Sequence, residues 1–351
     1  MSSETLAERI LRWFERNGRK DLPWQENPAP YRVWISEIML QQTQVTTVIP
    51  YYARFMNSFP DPAVLANAKL DDILHHWSGL GYYARARNLH KAAIIIRDDF
   101  GGEFPQCFDD VVALPGIGRS TAGAILALSH GQRHPILDGN VKRVLARFHA
   151  VPGWPGQTSV ARVLWKHAAE HTPQQNVAAY TQAIMDLGAT VCTRSKPDCN
   201  QCPLSNDCAA HNLGSELDYP GRRKAKPKPL KKTRMILLYS SDAIYLERRP
   251  PSGIWGGLWS LPELAAETAA DTWCQEKLNT KPASLTQWQT VRHSFTHFDL
   301  DIVPIAVRID KVSRTVADTE DKIWYEFQSP QVVGMAAPVT GLIEKLKAEV
   351  L

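Results

Sequence analysis

The stretch Leu114-Pro115-Gly116-Ile117-Gly118-Arg119 decides how the first two-thirds of the chain is read. It follows a short helical pattern, Phe108–Ala113, and opens another, Ser120–His130. Two glycines permit a tight turn and close backbone approach. The bare N–H groups at the start of the second helix suit a phosphate. This is helix-hairpin-helix grammar, which reads a nucleic acid by its backbone and not by its bases. An ordinary turn between two helices would look similar, so the flanking sequence has to decide.

Working outward, Leu6, Ile10, Trp13 and Phe14 predict a helix over 3–17. Val33 to Tyr52 predicts a helix broken and restarted at Pro50, and further helical patterns cover 62–78, 84–99, 140–150, 158–171 and 177–189. No strand alternation of any length precedes residue 215, so residues 1–215 are expected to be all-α. A basic segment follows: eight of the 13 residues from Arg222 to Arg234 are Lys or Arg, with Pro227 and Pro229 among them. We expect a linker over 216–233, either a solvated tether or one lying against phosphates. Residues 234–351 change character, with short strands at Met235–Tyr239, Ala243–Leu246, Phe298–Ile305 and Ile323–Phe327 and helices near 263–278 and 338–350. That is an α+β pattern.

Composition agrees with a multi-domain globular chain. Of 351 residues, 44% are hydrophobic and 22% charged, which excludes a chain disordered throughout. Forty basic against 36 acidic side chains leave +4, which permits nucleic acid binding without requiring it. No apolar run reaches the roughly 18 residues of a membrane span, and Glu4, Glu8 and Arg9 argue against a leader. We expect a soluble, cytoplasmic, monomeric protein with no membrane association.

Four of the six cysteines cluster as Cys192-x6-Cys199-x2-Cys202-x5-Cys208. Structural zinc sites usually join two Cys-x2-Cys knuckles from separate places. One knuckle flanked by single cysteines in a short loop favours a 4Fe–4S cluster over zinc. Arg194 and Lys196, inside the first interval, either contact phosphate or offset cluster charge.

Two carboxyls stand out. Glu37 has Val33, Trp34, Leu40 and Gln41 as its helical neighbours. Facing inward, it would be desolvated and kept protonated, as a general acid needs; facing outward, it would be an ordinary surface Glu. Asp138 precedes a helix carrying Lys142, Arg143 and Arg147. It is either a simple N-cap or a carboxylate kept ionised by the helix N-terminus and those cations. One neutral and one charged carboxyl is an arrangement that cleaves glycosidic bonds. Gly79-Leu80-Gly81-Tyr82-Tyr83 is an aromatic loop that can pack in a core or wedge into a base stack.

These residues together resemble the helix-hairpin-helix DNA glycosylases with an iron–sulfur loop, and within them the adenine-removing branch, over essentially the whole chain. Leu22-Pro23-Trp24, Ser36 to Val45, Gly79 to Tyr83, Leu114 to Thr121, Leu137 to Val141 and the cysteine spacing carry the resemblance. It implies removal of adenine opposite 8-oxoguanine, or opposite guanine, in duplex DNA. Glu37 would protonate the flipped adenine at N7, Asp138 would stabilise the sugar cation and Asn140 would support it. Cys192, Cys199, Cys202 and Cys208 would bind a 4Fe–4S cluster. Trp24, Gln25 and Gln182 would line the adenine pocket; some members have Glu where this chain has Gln182. Gln42, Thr43, Leu80 and the wedge Tyr82 would meet the lesion strand, and Gly116, Gly118, Ser120, Arg194 and Lys196 the DNA backbone. Endonuclease III-like relatives carry a Schiff-base lysine after the hairpin Gly-x-Gly-Arg. Ser120 stands there and cannot form one, so no strand cleavage is expected.

The C-terminal part resembles the Nudix fold. Gly257 and Glu263 fit the opening of its box, but without gaps Asp271, Thr272, Gln275 and Glu276 fall where the metal-binding acids belong. The resemblance implies a recognition domain and not a pyrophosphatase. Its 8-oxoguanine loop, Phe-Ser-His in the family, is Phe295-Thr296-His297 here. Two other readings stand beside the enzyme: a lesion-binding protein without catalysis, and an electron carrier using the cluster.

Overall fold

A computed structural model of the chain describes residues 4–223, 227–279, 281–310 and 319–350. Its helices are α1 (Leu6–Asn17), α2 (Pro30–Leu40), α3 (Val45–Ser58), α4 (Pro62–Asn67), α5 (Leu70–Trp77), α6 (Ala84–Asp99), α7 (Phe108–Ala113), α8 (Arg119–His130), α9 (Gly139–Phe148), α10 (Thr158–His171), α11 (Val177–Asp186), α12 (Ala209–Asn212), α13 (Ala270–Leu278) and α14 (Ala337–Val350). The chain divides into two units, Met1–Asn67 with Asn88–Ala225 and Ala68–Arg87 with Lys226–Leu351.

The first unit is helical, and among the described residues no strand precedes Leu230. Local chemistry starts its helices. At α1, Glu8 N–H donates to Thr5 Oγ1 (3.3 Å) while Thr5 N–H donates to Glu8 Oε2 (2.7 Å), a reciprocal cap. The face that follows buries Leu6, Ala7 and Ile10 against α11, and α11 also packs on α8 and α9. Ile10, Leu145, Leu164, Ala183 and Leu187, all inaccessible to solvent, form the centre of this core. The predicted break at Pro50 is corrected: α2 ends at Leu40 and α3 runs through Pro50. Gln42, at φ 58°, turns the backbone left-handed and stops the first helix eight residues earlier. Likewise 62–78 is two helices, α4 and α5.

The second unit is built on an eight-stranded sheet. Its strands are β1 (Leu230–Tyr239), β2 (Ala243–Arg248), β3 (Trp259–Ser260), β4 (Glu263–Leu264), β5 (Ser284–Gln287), β6 (Val291–Ser294), β7 (Asp299–Arg308) and β8 (Lys322–Glu326). The order is β3-β2-β1-β7-β5, with β4 on β1, β6 on β7 and β8 on β2. β1 and β7 run parallel from Leu230↔Asp299 to Tyr239↔Arg308. Ile236, Leu238, Tyr245, Ile305 and Val307 from the sheet enclose Trp273 and Cys274 of α13.

Three sequence expectations change here. Residues 230–233 of the expected linker are the first residues of β1, paired along β7, and 216–218 form a 3-10 turn; residues 224–226 lie outside the described set. Residues 263–264 are strand, so the helix expected from 263 begins at Ala270. Residues 68–87, read as part of the helical region, cluster with the C-terminal sheet. Arg248 grips Asp71 of α5 with two hydrogen bonds (2.9 and 2.7 Å), Tyr83 Oη donates to Met335 O (3.3 Å), and Arg87 Nη1 donates to Gly256 O (2.6 Å). No described helix is long and apolar enough to cross a membrane.

Candidate active site

An open cavity of about 280 Å³ enters the helical unit between Phe14, Arg19, Trp24, Gln25, Val33 and Gln182. Three of these, Trp24, Gln25 and Gln182, are the expected adenine-pocket residues, from two separate stretches of chain. Trp24 is buried and packs edge-on to Tyr52 (5.4 Å between centroids). Gln182 Nε2 donates to Asp186 Oδ1 (2.9 Å), one turn further along α11. That bond uses one of the amide's two N–H donors. Asp186, fully buried, is itself held by Arg19 through the backbone N–H (2.8 Å) and the guanidinium (3.0 and 2.5 Å).

Glu37 lies one turn beyond Val33 on α2, on the same face. Burial pushes its carboxyl up to about 8, and repulsion from Asp138 adds to the shift. The inward-facing alternative is therefore the one realised, and the two carboxyls are close enough to feel one another. That shift favours the neutral acid at pH 7.

Asp138 caps α9: Val141 N–H donates to its Oδ1 (2.8 Å) and Asn140 Nδ2 to its Oδ2 (3.1 Å). Its pKa does not fall below the ordinary value, as the helix terminus and nearby cations led us to expect. Burial raises it, and the N–H groups of Val141 and Asn140 and the Arg143 charge offset only part of that. A network absent from the sequence reading holds the pair in place. Arg143 Nη2 donates to Asn140 Oδ1 (2.9 Å) and to the carbonyl of Gly188, while its Nε donates to Cys192 O (2.6 Å). Gly188 is glycine because a Cβ there would meet Asn140 Cβ at 2.7 Å. Ser120 Oγ accepts the Leu137 N–H (2.9 Å), tying α8 to the residue before Asp138. The Arg143 and Arg147 spacing on α9 was visible in the sequence, but their carbonyl partners 45 to 72 residues away were not.

Cys192, Cys199, Cys202 and Cys208 line one small cavity of about 20 Å³, together with Arg147, His211 and Glu216. All four thiols are free. Burial pushes Cys202 up to about 12 and Cys199 up to about 11, and the proximity of the other cysteines adds to both. Four thiols so placed ionise together only around a cationic core. Arg147 is 2% exposed, yet its partners are carbonyls, of Thr193 (2.7 Å), Glu216 (2.8 Å), Tyr219 (3.0 Å) and Arg194 (3.2 Å), and Cys192 Sγ (3.2 Å). A buried guanidinium facing sulfur suits a centre of net negative charge. The donor set fits an iron–sulfur cluster. Arg194 and Lys196 are exposed on this loop.

At the hairpin, Gly116 has φ 83° and its missing Cβ would press on Asn88 Cβ at 2.9 Å. Gly118 differs from expectation: its φ of −98° is ordinary, and a Cβ there meets nothing within 4 Å. Its bareness leaves room outside the fold and is not needed by the turn. Gln42 is exposed and Thr43 half-buried.

In the sheet unit, Tyr82 is 46% exposed, whereas Leu80 is 6% exposed and packs inward. Thr296 and His297 form the tip of the β6–β7 hairpin, closed by Phe295 N–H donating to Phe298 O (2.9 Å) and by stacking of those two rings at 4.4 Å. Tyr82 Oη and Thr296 Oγ1 hydrogen-bond at 2.7 Å, so two residues from separate motifs meet. Gly257 takes φ 77° in a turn. Glu263 is paired with Arg249 (2.8 Å), and Asp271 Oδ1 accepts the Thr272 N–H at the start of α13.

Residues 35–170 match the family model of the HhH-GPD superfamily base excision DNA repair proteins, and residues 233–345 that of the NUDIX domain. The helical region with its hairpin, followed by a Nudix-type sheet, and the two family matches define a base excision repair glycosylase. The chain is 40% identical to an adenine DNA glycosylase of Buchnera aphidicola subsp. Acyrthosiphon pisum, covering 100% of both chains. It is 40% identical to one of Buchnera aphidicola subsp. Baizongia pistaciae, covering 99% of this chain and 98% of that one. Among solved structures it is similar to a thermostable thymine-DNA glycosylase, at 26% identity and a TM-score of 0.54, over 59% of this chain and 95% of the other. The chain belongs to the adenine DNA glycosylase family. It is an enzyme of base excision repair that acts on adenine.

Proposed function

We propose that the enzyme excises adenine opposite 8-oxoguanine, and opposite guanine, from duplex DNA, leaving an intact strand with an abasic site. The observation that carries this reading is the pairing of Glu37, kept protonated by burial, with Asp138, held by the α9 cap. The adenine, flipped from the stack, enters between Trp24, Gln25 and Gln182. The Gln182 carbonyl, oriented by Asp186, accepts from the exocyclic amine. Glu37 gives its proton to N7, and the C1′–N9 bond breaks with its electron pair leaving on the base. Asp138, as carboxylate, stabilises the sugar cation, with Asn140 and Arg143 fixing its orientation. Water then adds at C1′, and the proton it loses returns to the Glu37 carboxylate, which restores the acid. Ser120 offers no amine for a Schiff base, which supports a monofunctional enzyme.

Cys192, Cys199, Cys202 and Cys208 would hold a 4Fe–4S cluster, whose contribution when bound is to order the loop and set its charge. Arg147 and Arg143 of α9 connect that loop to the Asp138 end of the same helix. Arg194 and Lys196, with the N–H groups after Gly116 and Gly118, contact phosphates. In the sheet unit, Tyr82 and Thr296 serve lesion recognition, with Phe295 and His297 beside them; Gln42 and Thr43 serve it from the helical unit. The enzyme acts as a monomer at the chromosome, in the cytoplasm.

The test is Glu37→Gln under single-turnover conditions. Excision should fall by about 10²–10⁴-fold, the usual contribution of a general acid, with mispair binding retained. Unchanged excision removes Glu37 from the mechanism.

A further inference from the structure

Three histidines outside the mechanism come together in the helical unit. His167 and His171 stand one turn apart on α10, and His149 is the residue that ends α9. Their ligand nitrogens all lie within 4.8 Å of one another. His149 Nε2 and His171 Nε2 are 2.8 Å apart, and the His149 ring stacks on His167 at 3.7 Å between centroids. The other such cluster among the described residues, Cys199, His211 and Glu216, borders the cysteine cavity and belongs to that site.

We propose that His149, His167 and His171 bind a zinc ion, through three imidazole nitrogens with water completing the shell. Two histidines four residues apart on a helix share a face and reach one ion. Glu170 Oε2 pairs with His167 Nδ1 (3.1 Å), which reserves Nε2 of that ring for the metal. Two helix C-termini converge here, since His171 lies in the last turn of α10 and His149 caps α9. Both helix dipoles therefore favour a cation at this point. The stack must open somewhat. Nitrogens around a tetrahedral zinc ion sit about 3.4 Å apart, given bonds of about 2.0–2.1 Å. Rotation about the last histidine torsion, a soft coordinate, provides that. All three rings are only partly buried, so the ion has access. Its effect would be structural, clamping α10 to the end of the helix that begins at Asp138.

The experiment uses cluster-loaded full-length protein, so that the cysteines are occupied, with iron content measured before and after. Zinc is titrated in competition with a chromophoric chelator, against wild type and a His167→Ala/His171→Ala variant. We expect one zinc per chain in wild type and at least about tenfold weaker binding in the variant, with Glu170→Gln weaker by about tenfold. Zinc should raise the melting temperature of wild type only. His167→Gln serves the same comparison if the double variant does not fold. Equal zinc stoichiometry and affinity in wild type and variants of equal iron content would overturn the proposal and leave a stacked histidine cluster that only packs.

Discussion

Glu37 illustrates what a single residue's environment decides. Its neighbours were readable as Val33, Trp34 and Leu40, but whether it faced in or out was not, because that depends on where α2 packs. Facing in, it stays protonated well above the ordinary range of a carboxylic acid. The pH profile follows with a definite sign. On the proposed mechanism the acid is active when protonated, so the single-turnover excision constant should be flat below about pH 8 and fall about tenfold per unit above it. Asp138 must be ionised, and burial raises it from the ordinary value, so activity should also fall on the acid side. A profile measured from acid to alkaline pH checks both limbs. The alkaline limb should vanish with the residual activity of Glu37→Gln, and its persistence there would assign it to another group.

At the scale of elements, α9 does the most. Its first residue's cap is Asp138, its middle carries Arg143 and Arg147, and its end meets α10. The cap was legible, since Asp before a helix is a local signal. The arginine partners were not, because Cys192 O, Gly188 O and Thr193 O reach α9 only through the tertiary fold. The same reason hid Ser120: its role as a missing lysine was visible from position, its bond to Leu137 was not. Gly188 tests this packing. Gly188→Ala would bring a methyl group to 2.7 Å from Asn140 Cβ and 2.9 Å from its carbonyl, displacing the side chain that steadies Asp138. We expect a loss of stability of roughly 1–3 kcal/mol from overpacking. Excision should fall by about 10²-fold, as a displacement of about 1 Å can cause. Thermal unfolding and single-turnover rates check it; a variant as active and as stable as wild type would mean that α9 yields without cost.

At the scale of the molecule, the division into a helical part and a sheet part was legible from periodicity, because amphipathic helices and alternating strands have different repeats. The boundaries were not. Basic residues such as Lys231 and Lys232 gave no strand signal, yet they pair along β7, and Lys231 lies over the Phe298 ring at 4.6 Å. Residues 68–87 read as helix and loop, which is correct locally, but hydrogen bonds to Met335 and Gly256 and the Arg248 pair with Asp71 assign them to the sheet unit. The Tyr82–Thr296 contact follows from that assignment and could not be foreseen from two motifs more than 200 residues apart. The hairpin and the cysteine spacing were local enough to be read directly, whereas the pairing of Glu37 with Asp138 came only with the family resemblance.

The most direct measurement on the whole enzyme is a single-turnover reaction on a duplex with one adenine opposite 8-oxoguanine, divided so that half is heated in alkali and half kept neutral. Cleavage at the adenine only in the alkali-treated half is the predicted result, since on the proposed mechanism Glu37 and Asp138 release the base and Ser120 provides no amine to cut the strand. Strong cleavage in the neutral half, or no cleavage in either half with binding intact, would contradict it.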